Sequence, residues 1–537
     1  MIYKYLLLMS FFILIYYKSK RSLHMLQQNL YNENNRYLKW ISQNYKELFS
    51  LEILIVCISI IGSYVIYDLE IISKLTIVMI AIISLITSVS LKRRLDNGQN
   101  KKPLVITARI KRLMVTITVL YLIPAIFLLI SNNNQLVWTL TLTLSAMTWF
   151  NSLVVFLANI INFPIERCVY YHYKRMAQNK LKSMSNLKII GITGSYGKTS
   201  SKNILSDILN VKYNALPTPK NLNTYNGLIM TVNNNMDIFT DIFIAEMGAY
   251  VKGEIKGLCN LVHPKYGILT TIGTAHLESF GSEQNIIDGK FELIESLPSD
   301  GFAILNGDDP KQVSYKLKNK IKTIWIGINN EGADIRAVNI NCSSNGTTFD
   351  VIVKGSDKKY AFTTRLLGNH NVYNILAGIA CGLEFGIEME DLIRAVHGVK
   401  PVEHRLELKR LGNFYQIDDA YNSNPVGAEN ACKVLGMMPG IRVVVTPGMI
   451  ELGDKEYEYN KKFGNQIAEL AKVDYAVLIG KNKTKAIYDG LIEKGFDKEK
   501  IVVFNDVRDA YPFINSLTGK QDVYALFEND LPDTYNE

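Results

Sequence analysis

The run Ile-Ile-Gly-Ile-Thr-Gly-Ser-Tyr-Gly-Lys-Thr at 189–199 holds the residue types that a nucleotide phosphate needs. Apolar residues up to Ile190 read as a strand, and Gly191, Gly194 and Gly197 let the backbone turn so that its N–H groups face an anion. Lys198 supplies positive charge for the β- and γ-phosphates, and Thr199 a hydroxyl for Mg²⁺. Ile204, Leu205, Ile208 and Leu209 follow at helical spacing, which puts the phosphates at a helix N-terminus. Five residues separate Gly191 from Gly197, so the loop departs from the standard Walker spacing. Strand, loop, Lys-Thr and helix nevertheless agree, and together they predict an ATP site.

The elements that must position this loop follow from the next 340 residues or so, where strand-like runs alternate with helical ones in the pattern of an α/β layer fold. A run at 242–247 ends around Glu246, and another at 266–272 leads into Gly-Thr-Ala-His at 273–276. Parallel sheets place functional groups just past the carboxyl ends of their strands, where both Glu246 and His276 fall. Each has two readings: Glu246 is a metal-holding carboxylate or an ordinary strand-end acid, His276 a ligand or a buried structural histidine. Residues 333–364 are richer in β-branched types and contain Asn345-Gly346, a hairpin signal. From about residue 401 a second α/β alternation begins, with strands expected at 414–417, 443–446, 475–479 and 501–504.

The chain has 537 residues and a net charge of +9, unevenly spread: the first 160 hold long apolar stretches, and the rest has the mixed composition of a soluble enzyme. Its six cysteines are scattered without Cys-x-x-Cys or metal-spaced histidines, so a reduced compartment with no structural disulfide or zinc is expected. Five apolar segments, at about 2–17, 51–68, 70–91, 113–131 and 136–160, suit membrane helices, which need ~20 residues. The first is marginal and reads also as an uncleaved signal-anchor or an interfacial helix. The loop at 92–112 has eight basic residues against one acid, whereas 131–135 is uncharged and 67–70 is acidic. The positive-inside rule then places the basic loop in the cytoplasm, the N-terminus outside, and everything after residue 160 inside. The basic loop reads as a topology determinant or an anionic-lipid site. The segments lack the cluster of ionisable residues that marks an ion path, which favours an anchor or lipid-substrate platform over a transporter. Residues 23–50, with Trp40, suit a helix lying at the interface, and the basic, aromatic stretch 164–186 a linker helix against headgroups. No nucleic-acid partner is expected.

Several landmarks together resemble the Mur ligases, the ATP-dependent amide-forming enzymes of peptidoglycan precursor synthesis. They are Gly-Ile-Thr-Gly-Ser-Tyr-Gly-Lys-Thr (191–199), Asn-Leu-Asn-Thr (221–224), Ala-Glu-Met-Gly-Ala (245–249) and Gly-Thr-Ala-His-Leu-Glu (273–278). Asn-Gly-Asp-Asp (306–309), Leu-Gly-Asn-His-Asn-Val-Tyr-Asn (367–374), His-Arg-Leu-Glu (404–407) and Asp-Asp-Ala-Tyr-Asn-Ser-Asn-Pro (418–425) follow. The third and the last look most like the branch that adds D-alanyl-D-alanine to a UDP-muramoyl tripeptide. The apolar segments and the resemblance, which runs from about 187 to 530, together imply four regions: an α-helical membrane region at 1–163, an interfacial linker at 164–186, a central P-loop-type ATPase domain at 187–400 and a Rossmann-like C-terminal domain at 401–537. With the apolar segments and loop charges, it points to a bacterial, multi-pass membrane protein with its catalytic domains in the cytoplasm.

The chemistry implied is phosphorylation of a substrate carboxylate by ATP, then attack of an amine on the acyl phosphate. Positioning and charge neutralisation supply most of the rate in such a reaction. By the resemblance, Gly194, Gly197 and Lys198 bind the phosphates, and Thr199 and Glu246 hold one Mg²⁺. His276 holds a second, with Lys290 in Asp-Gly-Lys-Phe-Glu as its carbamylated partner or else as a solvated helix lysine. His370 and Asn374 face the adenine, and Arg405 reaches the phosphates or bridges two domains. Asp419, Tyr421 and Asn424 lie across the cleft, with Asp418 either contributing or orienting Asp419. Two departures bear on substrate: membrane helices replace the soluble domain that grips the UDP-sugar, and 527–535 replaces the expected Lys-Gly-Ser type segment. A ligase on a UDP- or lipid-linked envelope precursor is expected, taking an amino acid or dipeptide. The alternatives are a poly-γ-glutamate or folate-type ligase and an ATP-driven transporter or sensor.

Overall fold

The computed structural model describes residues 2–44, 52–97, 103–356, 358–420, 424–450, 452, 455–519 and 521–529. It divides into two compact units, Met1–His172 and Tyr173–Glu537.

The first unit is helical: α1 Ile2–Gln28, α2 Arg36–Gln43, α3 Glu52–Ile61 with a π-helical turn Gly62–Ile66, α4 Glu70–Asn97, α5 Ala108–Ile130 and α6 Asn134–Trp149. The unit boundary falls within α7, Asn151–Ser183. Four helices, Ile2–Gln28, Glu70–Leu95, Ala108–Ile130 and Asn151–Ser183, are long and apolar enough to cross a membrane, and Glu52–Ile66 is a shorter apolar helix.

Several boundaries differ from those expected. The first segment does not stop at 17, because Lys18 is matched inside the unit by Glu52 at 3.0 Å. The segment expected at 136–160 is two helices, interrupted at Phe150. Backbone carbonyls around that break receive side-chain donors: Tyr121 Oη reaches Met147 O at 2.8 Å and Lys18 Nζ reaches Trp149 O at 3.4 Å. Asn151 Nδ2 donates to Ser19 Oγ and Tyr121 Oη. Residues 23–50 are the tail of α1, a 3₁₀ turn Leu30–Asn35 and α2, with 45–50 outside the described residues. The linker expected at 164–186 is not a separate helix, since α7 runs through Pro164. In the basic loop, Lys101 and Lys102 lie outside the described residues. Arg112 forms a bidentate pair with Glu166 (2.7 and 2.8 Å), and Arg109 lies 3.7 Å over the Tyr31 ring, so both are engaged within the unit.

The second unit contains two sheets. Strands β1 Lys188–Thr193, β2 Ala215–Pro217, β3 Ile242–Glu246, β4 Tyr266–Leu269 and β5 Phe302–Asn306 open the first. Strands β6 Lys322–Gly327, β7 Ile335–Ser343, β8 Gly346–Val353 and β9 Lys359–Thr364 complete it, in the order β2-β3-β1-β4-β5-β6-β7-β8-β9. Pairing is parallel up to β7 and antiparallel beyond, with the β7–β8 hairpin turning at Asn345-Gly346 as expected. Helices α8 Lys198–Leu209, α9 Tyr225–Asn234, α10 Glu254–Val262, α11 Glu283–Glu295, α12 Asn369–Glu384 and α13 Met389–Gly398 accompany it. Ile190, Ile192 and Ile244 of the sheet share one core with Ile204 and Ile208 of α8 and Ile375 and Ile379 of α12.

The second sheet comprises β10 Glu407–Leu411, β11 Phe414–Asp419, β12 Ile441–Thr446, β13 Tyr475–Ile479, β14 Ile501–Phe504 and β15 Val523–Glu528. Its order is β10-β11-β15-β12-β13-β14, and only the β10–β11 pair is antiparallel. All four strands expected here are present. β15, every residue of which is buried, is an additional one in the middle. Helix α14, Pro425–Gly436, follows β11.

The order β3-β1-β4 gathers the candidate site residues. The three neighbouring strands run parallel, so the loop after β1, Glu246 at the end of β3 and the segment after β4 emerge side by side.

In the helical unit, a Cβ added at Gly62 would lie 2.1 Å from the Trp138 ring, whose Nε1 donates to Ser73 Oγ at 2.8 Å. Gly62→Val is expected to destabilise this unit by about 1–3 kcal/mol through overpacking. Thermal unfolding in detergent, with Gly62→Ala as the milder step, checks it.

Candidate active site

The loop after β1 is shaped by two glycines. Gly194 passes so close to β4's continuation that a Cβ would sit 1.9 Å from Thr270 Oγ1, and Gly197 caps α8 at φ 80. Thr270 Oγ1 donates to Tyr196 O at 2.7 Å, which ties the loop to the neighbouring segment. Lys198 folds back over the loop and donates to Gly194 O (2.7 Å) and Ser195 O (3.2 Å). Burial brings its ammonium down to about 8, with Glu246 opposing and Arg405 assisting the shift.

Thr199 and Glu246 are adjacent, with Thr199 Oγ1 3.3 and 3.2 Å from the two carboxylate oxygens. Glu246 is 1% exposed, and Asn223 Nδ2 donates to its Oε1 at 3.0 Å. Lys202 Nζ lies 2.9 Å from Oε2. The Thr199–Glu246 pair offers hard oxygen ligands beside the glycine loop, the donor set that Mg²⁺ takes. Among the described residues, no group of three or more His, Cys, Asp or Glu is arranged to hold a metal, so a second ion would need ligands of other kinds.

His276 and Lys290 lie near enough to Lys198 to feel its charge. His276 adopts φ 61 and its ring packs 4.5 Å from that of Tyr250. It is exposed on one side rather than a buried structural histidine. Partial burial, then the charges of Lys290 and Lys198, push its imidazole down to about 4, leaving a neutral ring nitrogen able to ligate or accept. Lys290 is 2% exposed and donates to Ala249 O at 3.4 Å, so it is not the solvated helix lysine that its sequence allowed. Burial, reinforced by Lys198, pushes its amine down to about 7.

A cleft between the two sheets is lined by Tyr196, Gly197, His370, Asn374, Arg405 and Asp419. His370 Nδ1 is buried with no hydrogen-bond partner, an orphaned atom that a bound heterocycle could satisfy. Burial holds that imidazole near 4 and neutral. Asn374 is buried against Gly197. Burial raises Asp419 to about 6 against the pull of Arg405. Asn424 also lines the cleft while its Oδ1 caps α14 through Gly427 N at 2.9 Å. Tyr421 lies outside the described residues. Asp418 is bound away from the cleft by His404 Nδ1 at 2.8 Å and Lys409.

Three partners were missed from sequence. Lys202 lies one helical turn beyond Lys198, a spacing that could have flagged it. Asn223 sits in a motif already noted. Asp308, despite burial, is held below the usual carboxylate range by the N–H groups of Ile328, Asn329 and Asn330 and by Tyr373 Oη, so it braces the cleft wall.

Residues 192–382 match the family model "Mur ligase middle domain", and 404–527 match "Mur ligase, glutamate ligase domain". The chain belongs to the Mur ligase family. Mur ligases are ATP-dependent enzymes that form C–N bonds. The UDP-N-acetylmuramoyl-tripeptide–D-alanyl-D-alanine ligase of Bacillus subtilis (strain 168) is 34% identical over 63% of this chain and 72% of its own. The Escherichia coli (strain K12) enzyme of the same name is 31% identical over 55% and 65%. A crystal structure of MurF from Acinetobacter baumannii superposes with a TM-score of 0.60 at 27% identity, over 67% of this chain and 77% of that one. MurF from Thermotoga maritima in complex with ADP, at 24% identity and a TM-score of 0.59, shares the fold. Both family matches lie within the second unit of this Mur ligase; the helical unit is outside them.

Gly194→Ala is expected to push Thr270 aside, free Tyr196 and weaken ATP or ADP binding about tenfold or more, equivalent to ~1.4 kcal/mol. Calorimetric titration, with a thermal melt to show that the fold persists, checks this.

Proposed function

We propose that this Mur ligase adds D-alanyl-D-alanine to a muramoyl tripeptide carried on UDP or on a lipid. The curated relatives that perform the UDP-linked reaction carry this reading. The matched regions span 72% and 65% of the first two relatives, so the acceptor's carrier and the dipeptide donor are part of the proposal.

Each residue can be given a task. The substrate carboxylate attacks the γ-phosphorus of ATP, and ADP leaves. The loop amides and Lys198 offset the charge that builds on the transferring phosphoryl. Thr199 and Glu246 would hold Mg²⁺, which neutralises phosphate charge when bound. His276, neutral at working pH, and a carbamylated Lys290 would hold a second ion. The dipeptide amine then attacks the acyl carbon, loses a proton, and phosphate departs with its oxygen to leave the amide. His370 and Asn374 would face the base, Arg405 the phosphates, and Asp419, Tyr421 and Asn424 would close the cleft from the C-terminal side.

The helical unit is proposed to be a multi-pass anchor that keeps the catalytic domains at the cytoplasmic membrane face. Its apolar lengths support this, as does the hydrogen bond from Lys4 to Ser131 O, which joins two ends expected on the external side. Anchoring beside a lipid-linked acceptor would raise effective concentration. A second reading, a glutamate-adding ligase of the same chemistry, is favoured by the description of the 404–527 match as a glutamate ligase domain.

Detergent-solubilised protein with ATP, Mg²⁺, UDP-muramoyl tripeptide and D-alanyl-D-alanine is expected to yield the pentapeptide by mass spectrometry, with Lys198→Ala inactive. ADP release that instead depends on glutamate, with chain growth, would establish the second reading.

Lys290 gives a pH-dependent prediction. Its amine is protonated below about 7 and neutral above, and only the neutral form reacts with CO₂. A carbamate signal in ¹³C NMR with labelled bicarbonate is expected to grow from about pH 6 to about pH 8 and to be missing in Lys290→Arg. A pH-independent signal would count against this role.

A further inference from the structure

Lys202 stands four residues beyond Lys198 on α8, on the same helical face. Its side chain is 1% exposed and that of its partner Glu246 is 2% exposed, with Nζ 2.9 Å from Oε2. Nζ also donates to Lys220 O at 2.5 Å. Lys220 is a non-glycine residue at φ 48, a conformation that L-residues seldom adopt and that clusters at functional sites. The loop that Lys220 begins delivers Asn223 to Glu246 Oε1. One ammonium therefore fastens three elements: the helix that opens the phosphate loop, a strained loop, and the carboxylate at the end of β3.

The charge balance is the informative part. Held only by the neutral donors Thr199 and Asn223, a buried carboxylate would be costly to keep ionised, and a divalent cation could supply the positive charge that it lacks. With Lys202 in contact, the pair is neutral overall, and a cation gains little until further negative charge arrives. The phosphates of a nucleotide bring that charge.

Resting on the nucleotide and metal reading above, we propose that Lys202 is a positioning residue. It keeps Glu246 fixed and charge-balanced, so that Mg²⁺ enters the Thr199–Glu246 site together with the nucleotide's phosphates and not ahead of them. The bare site then stays free of metal, and the strained loop keeps its anchor before and after binding.

The test uses the full chain in detergent and Mn²⁺ as the probe, followed by the EPR signal of free Mn²⁺. After subtraction of the Mn²⁺ that ADP holds in protein-free solution, wild type is expected to bind Mn²⁺ weakly alone and at least about tenfold more tightly with ADP. Lys202→Met, which keeps the chain length and removes the charge, should bind Mn²⁺ without nucleotide about tenfold more tightly than wild type. Adding Glu246→Gln should cancel that gain, and Lys202→Arg should behave as wild type. A folded Lys202→Met with wild-type Mn²⁺ affinity overturns the proposal. So does a wild type that holds Mn²⁺ equally well with and without ADP, an arm that decides the matter even where Lys202→Met fails to fold. If wild type takes up no ADP at all, the nucleotide reading itself has failed and this proposal falls with it. None of these readouts needs turnover or a known acceptor.

Discussion

A carboxylate almost without solvent must have its charge answered by the protein, and Glu246 imposes that demand on everything around it. It stands at the end of β3, beside β1 and therefore beside the glycine loop. Thr199 comes from the first turn of α8, Lys202 from the second, and Asn223 from a separate loop held by Lys202 through Lys220 O. Lys198 lies near enough to feel the charge of Glu246, and Lys290 near enough to feel that of Lys198; both amines are brought down by burial. The ammonium groups of Lys198 and Lys202 beside one buried acid leave an excess of positive charge, which suits a phosphate.

The same rule operates in the helical unit on groups that carry no formal charge. Where α6 gives way to α7 at Phe150, backbone carbonyls need donors that helical geometry does not provide. Tyr121 and Lys18 supply them, and Asn151 ties the break to Ser19. Lys18 is in turn balanced by Glu52. These polar side chains are widely separated in sequence, and they convert what reads as one apolar span into two helices stitched to α1 and α5.

Legibility followed the range of the interaction. The glycine loop and its helix are contiguous, and the four strands expected after residue 401 carry their own apolar runs, so local pattern sufficed for these elements. Residues at strand ends, Glu246 and His276, were placed by a general property of parallel sheets. Lys202 escaped notice because a lysine on an amphipathic helix ordinarily faces water; only the depth of Glu246 makes it a core residue. β15 was missed for a related reason, since its central position comes from pairing with β11 and β12. Asp418, adjacent in sequence to Asp419, is turned away by His404 and Lys409, and neighbours in a strand point to opposite faces.

By itself, the sequence determined the chemical vocabulary of this protein: a glycine loop with its lysine and threonine, the motif series of a Mur ligase, apolar helices ahead of them, and the alternation that makes parallel sheets. These depend on residue type and on spacing over a few turns, which a linear string preserves. The tertiary structure alone decided which charges meet, which carbonyls are rescued at the broken helix, and which lysine is buried against which acid. Those outcomes depend on burial and on strand order, and both come from contacts between residues tens or hundreds of positions apart.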